Sequence, residues 1–146
     1  MLGASGPALF RPQWAPDSAA EAGRPKCFHV TPFHESFDSV CEAVREICEG
    51  QGWEYVRGDI GSSQRIMHRI WHGICQASAV VIDVTDQNLN VGLELGLVHA
   101  VGKPYRLIGR GKVSAHRFPS IGKVQIHAYP NEPFADIIGP LLTPPR

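Results

Sequence analysis

The densest run of groups able to do chemistry is Asp83-Val84-Thr85-Asp86-Gln87-Asn88-Leu89-Asn90-Val91-Gly92-Leu93-Glu94. Five short polar side chains, Asp83, Thr85, Asp86, Asn88 and Asn90, follow the apolar run Ala79-Val80-Val81-Ile82 and precede a helical pattern. A strand that ends this way before a helix sets carboxylates, hydroxyls and amides beside free backbone N–H groups, which suits sugars and phosphates. Turn and cap roles for Thr85, Asp86, Asn88 and Asn90 explain the same residue types, and Glu94 in a first helical turn would complement the helix dipole. That dipole would also favour the ionised carboxylate near neutral pH.

Other candidates are sparser. Phe33 and His34, after Pro32, are placed to stack on a base or approach a ribose, or else to pack as a lid. Ser62, Ser63 and Arg65 precede a helical stripe and suit either a phosphate or an ordinary N-cap. His68, His72 and Cys75 share one helix face at i, i+4 and i+7, but no second cluster completes a metal set, so no metal and no cofactor are expected. Gly109-Arg110-Gly111-Lys112 lacks phosphate-loop spacing and reads as a solvated turn.

The elements that must position these groups follow from periodicity. Cys27 to Val30 is a β-favouring run, and Phe37, Val40, Cys41, Val44, Ile47 and Cys48 form a helical stripe that stops at Gly50 and Gly52. Trp53 to Val56 is a second strand, and Ile66, Ile70 and Ile74, with Met67 and Trp71, make a second stripe. Ser78 to Val84 is almost continuously apolar, as expected of a central strand covered on both faces. A third helix from about Asn90 to Val101 carries Val91, Leu95 and Val98 on one side. Its small Gly92, Gly96 and Ala100 are expected to pack closely on the sheet. Tyr105 to Ile108 and Val124 to Tyr129 are further strands, and Phe134 to Leu142 a last short helix. This alternation predicts a flavodoxin-like or Rossmann-like three-layer α/β sandwich with a five-stranded parallel sheet. Its ligands belong at the carboxyl ends of the strands, in the loops Thr31 to Ser36 and Thr85 to Asn90.

Composition narrows the classes. At 146 residues the chain fits one domain, read as 26–146, after an Ala-, Pro- and Gly-rich stretch 1–25 that reads as a disordered tail. Fourteen Lys and Arg balance fourteen Asp and Glu, which disfavours nucleic-acid polymers and anionic membranes as partners. No apolar run approaches a membrane span, no secretory signal is visible, and the four cysteines lack a CxxC, which fits reduced core thiols in a cytoplasmic protein.

Taken together, Asp83-Val84-Thr85, Asn88-Leu89-Asn90-Val91, Glu94-Leu95-Gly96, His99-Ala100 and Gly102-Lys103-Pro104 resemble the nucleoside 2-deoxyribosyltransferase-like family and its bacterial TIR-like relatives. Val30-Thr31-Pro32-Phe33 and Arg57-Gly58-Asp59 extend the resemblance to about residues 27–109. It implies that Glu94 is a nucleophile toward an anomeric carbon, where a carboxylate both stabilises an oxocarbenium-like transition state and can form a glycosyl ester. Asp83 is the next candidate catalytic acid. Pro32, Phe33, Ser78, Asp86, Asn88 and Asn90 are the implied nucleotide-binding positions, although Ser78 and Asn88 stand where the family carries aspartates.

The resemblance implies a homo-oligomer acting on the N-glycosidic bond of a nucleoside, a nucleotide or NAD as hydrolase or glycosyl transferase. A non-catalytic nucleotide-sensing module and a TIR-like interaction module are the alternatives. For the fold, Val81→Asp should cost several kcal/mol by burying an unpaired charge; a denaturation midpoint near the parent's would contradict a central third strand.

Overall fold

A strand buried on both faces needs helices above and below it, and the segment Ala79–Asp83 (β3) meets that condition, with every residue at most 1% exposed. The computed structural model describes residues 23–58, 66–86, 89–111 and 124–143. Around β3 these form β1 (Lys26–Val30), α1 (Asp38–Gly50), β2 (Glu54–Arg57), α2 (Ile66–Gln76), α3 (Leu89–Val101), β4 (Tyr105–Arg110), β5 (Ile126–Tyr129) and α4 (Phe134–Leu142). A single 3-10 turn, Glu35–Phe37, leads into α1.

The sheet is wholly parallel, in the order β2-β1-β3-β4-β5, so β3 is central as expected. Alternation along β3 splits the core in two. Val80 and Ile82 pack with Ile70 and Ile74 of α2 and Val91, Leu95 and Val98 of α3. Ala79 and Val81 pack with Val40 and Val44 of α1 and Ile137 and Ile138 of α4. The result is a three-layer α/β sandwich. Three of the four cysteines, Cys27, Cys41 and Cys48, are buried free thiols, and Cys75 is half-buried. Among the described residues no helix is long and apolar enough to cross a membrane.

One expectation for α3 changes. Gly92, Gly96 and Ala100 do not meet the sheet: Gly96 and Ala100 are exposed, and a Cβ on Gly92 or Gly96 would touch nothing within 4 Å. The larger Val91, Leu95 and Val98 take the inner face instead, because burying them removes more apolar surface from water. The close approach occurs on α2, where the Phe28 ring of β1 lies so near Gly73 that a Cβ there would stand 2.3 Å from it. At the far end of α3, Gly102 adopts φ 74° and donates its N–H to Val98, a glycine C-cap that ends the helix. Lys103 then reaches back to cap α2, donating to the Cys75 carbonyl at 2.9 Å.

Residues 1–22 of the expected tail lie outside the described residues. Pro25, at its end, already belongs to the sheet margin, since its carbonyl accepts the Glu54 N–H at 2.9 Å.

Helix propensity alone would make Gly73→Ala stabilising by about 1 kcal/mol. The clash with Phe28 reverses that sign, and a net loss of about 1–3 kcal/mol is expected in denaturant unfolding. Phe28→Leu in the same background should recover part of the loss; strictly additive effects would show that the ring does not set the helix position.

Candidate functional site at the carboxyl edge

The strand order reverses between β1 and β3, so the crevice for a ligand lies outside their carboxyl ends. The loop after β1 turns sharply there. Pro32 is buried and its carbonyl accepts the His34 N–H at 2.9 Å, while the His34 ring accepts the Ser36 N–H at 3.1 Å and caps the 3-10 turn. Phe33, between them, projects into solvent at 58% exposure. Thr31 is buried one residue beyond β1, and its hydroxyl accepts the Cys41 thiol at 3.9 Å.

Asp83 ends β3 on the face shared by Ala79 and Val81. It is fully buried, and its carboxylate accepts the Thr85 N–H at 2.9 Å, the Thr85 hydroxyl, and the Tyr129 hydroxyl at 2.6 Å. Burial pushes its pKa up, while those bonds and the nearby Arg110 guanidinium oppose the rise. Thr85 spends its proton on Asp83, so its oxygen accepts the Arg110 N–H at 2.9 Å. Arg110, expected in a solvated turn, donates from Nη2 to the Ser36 carbonyl at 2.7 Å and lies 4.6 Å from the centre of the Phe37 ring.

Glu94 occupies a different setting. It is 6% exposed on α3, whose inner residues pack on the opposite side of the sheet from α1 and α4. Around the helix it falls well away from His99, whose Nε2 is 2.7 Å from the Tyr105 hydroxyl on β4, and so on the flank toward α2. Because α3 begins at Leu89, Glu94 sits in the second turn rather than the expected first, and the dipole does not hold it ionised. Burial alone pushes its pKa up to about 7, and among the described residues no hydrogen bond or ion pair reaches its carboxylate.

The structure does not bring the other expected binding residues together. Ser78 lies at the amino end of β3, opposite the crevice, where its Oγ accepts the Lys26 N–H at 3.4 Å. Asp86 is exposed, Asn90 falls in the first turn of α3, and Asn88, with Ser62, Ser63, Arg65, Asp59 and Lys112, lies outside the described residues. Among the described residues no group of three His, Cys, Asp or Glu is arranged to hold a metal. Sequence reasoning missed Tyr129 as an edge residue, since it lies in no motif, and placed Arg110 in a solvated turn. It also missed the fully buried His29, whose Nδ1 is 2.9 Å from the Tyr55 hydroxyl and whose pKa is lowered to about 3 by burial and by Arg57.

No family model matches the sequence, and no curated protein matches it. Among solved structures, the CMP N-glycosidase BcmB of Clostridium botulinum superposes with a TM-score of 0.58 at 17% identity, over 81% of this chain and 99% of that one. The likeness is one of fold. A NAD+-bound 3-phosphoglycerate dehydrogenase of Entamoeba histolytica gives 0.37 at 20% identity, over 74% of this chain and 33% of its own, a level that adds no argument.

The Glu94 environment makes a stability prediction. Its folded pKa of about 7 exceeds the ordinary 4.5, so the native state binds the proton more tightly than the unfolded chain. Its contribution is complete below about pH 4.5 and is lost as pH rises through about 7. Glu94→Gln should therefore match the parent near pH 4 and exceed it at pH 8 by about 2–3 kcal/mol in denaturant unfolding. Parallel stability profiles across that range would overturn the buried, unpaired state.

Proposed function

We propose that the protein binds a nucleoside, a nucleotide or NAD at the carboxyl edge between β1 and β3 and cleaves or transfers at its N-glycosidic bond, with Glu94 as nucleophile. The observation that carries this reading is a carboxylate buried in the second turn of α3, the helix that follows β3, with no cation or hydrogen-bond donor offsetting it among the described residues. A buried acid so placed gains from an adjacent positive charge, and an oxocarbenium-like sugar supplies one in the transition state. Likeness in fold to a CMP N-glycosidase supports the reading.

In the proposed step a Glu94 oxygen attacks the anomeric carbon, the C–N bond breaks, and its electron pair leaves with the base, which takes a proton from solvent. Water then hydrolyses the glycosyl ester and frees the carboxylate, or a second base captures the sugar. Asp83, with its oxygens bonded to Thr85 and Tyr129, serves as a positioning residue for the loop that leads into α3. Phe33 supplies an exposed ring at the rim for a base to stack on.

The same geometry favours one alternative, a nucleotide-sensing module without catalysis. Asp83 lies on the face opposite Glu94, Ser78 at the far end of β3, and no second acid reaches Glu94 among the described residues.

Incubation with a panel of nucleosides, 5′-monophosphates and NAD, followed by chromatography of free base, separates the readings. The parent should release base at a rate that rises with pH through about 7, as Glu94 ionises. Glu94→Gln should lose about a thousandfold or more while still being stabilised thermally by the ligand. Undiminished release from the variant would remove Glu94 from the reaction. No release by the parent, with thermal stabilisation by a nucleotide, would establish the sensing module.

A further inference from the structure

None of the cysteines enters the proposed reaction, yet two of them share one place in the core. Cys27 and Cys48 are free thiols at 0% exposure, both in the layer that α1 and α4 build on the sheet. Their side chains are hydrogen-bonded to each other. Both backbones are held in place: Cys27 is paired in β1 between Tyr55 of β2 and Ala79 of β3, and the Cys48 carbonyl accepts the Gln51 N–H at 3.1 Å and the Trp53 N–H at 2.9 Å. The turn that ends α1 thus leads straight into the strand beside Cys27. Thiols already in contact meet the first geometric demand of a disulfide, that the two side chains point at each other. The other cysteines are placed elsewhere. Cys41 lies two turns before Cys48 on α1, about 10 Å along the helix, and donates its thiol to Thr31. Cys75 is on α2, across the sheet.

We infer that Cys27 and Cys48 form a modification site, a thiol pair that hydrogen peroxide oxidises to a disulfide joining β1 to the last turn of α1. The bond from the Cys27 S–H draws the Cys48 pKa down, whereas Cys27 is held well up by that same bond and by burial. Cys48 is therefore the attacking thiolate. Its sulfur takes one peroxide oxygen and expels hydroxide, which leaves Cys48 as a sulfenic acid. The Cys27 sulfur then attacks the Cys48 sulfur, and the S–S bond forms as the S–O bond breaks. Two thiols give up two electrons and two protons, and one peroxide becomes two waters. Full burial excludes bulky oxidants and leaves a small neutral one as the co-reactant. The link lies at the amino end of β1 and depends on no part of the reaction proposed at the carboxyl edge.

Peroxide treatment of the reduced full chain, followed by peptide mass spectrometry without reductant, tests this. Trypsin cuts after Lys26, Arg45 and Arg57, so the link should join peptide 27–45 to peptide 46–57, lighter by two hydrogens than the separate pair. Cys41→Ala should form the same link, which assigns it to Cys27. The oxidised parent should melt about 5–10 °C above the reduced one, since the bridge constrains the unfolded chain, and dithiothreitol should reverse the rise. Cys48→Ala should show neither the link nor the rise. Loss of the link in a folded Cys41→Ala variant, a mixture of links that includes Cys75, or sulfinic acid at Cys48 with no link in the parent would each overturn the inference.

Discussion

The arrangement of the carboxyl edge depends on one buried carboxylate. Asp83 gathers two hydroxyls and a peptide N–H. Tyr129 brings the end of β5, and Thr85 passes the constraint to Arg110 at the end of β4. Arg110 in turn grips the turn that follows β1. Hydrogen bonds to a buried charge contribute about 1.5–3 kcal/mol each, and here they oppose, without cancelling, the desolvation that raises Asp83. Without them the ends of β1, β3, β4 and β5 would be joined only by sheet pairing, and the loop into α3 would lose its anchor.

The two acids therefore illustrate how environment assigns roles to identical chemistry. Asp83 and Glu94 are both buried and both shifted upward, but Asp83 is surrounded by donors, whereas burial alone shifts Glu94. The first is satisfied within the protein. The second remains electrostatically incomplete, which destabilises the domain above neutral pH and makes the carboxylate receptive to a cation or a proton.

How much of this was legible in sequence depends on the range of the interaction. The strands and helices followed from periodicity, because Val91, Leu95 and Val98, or Ile70 and Ile74, reveal their face by spacing alone. The central place of β3 followed from its unbroken burial. The helix faces chosen by glycine did not follow: Gly73 meets Phe28 while Gly92 and Gly96 face outward, a distinction set by partners far away in the chain. Glu94 was visible as a candidate through its motif, but its second-turn position and unpaired burial needed the fold. Tyr129 was invisible as a partner of Asp83, since 46 residues separate them.

The strands at the two margins of the sheet, β2 and β5, have four residues each, shorter than any strand between them. In a four-residue parallel strand only alternate peptide groups point outward, so a passing chain finds a template of about two residues. Amyloid-forming segments pair over six or seven. Brevity at the margins thus guards against edge-to-edge aggregation, alongside the charged Glu54 and Arg57 that β2 carries.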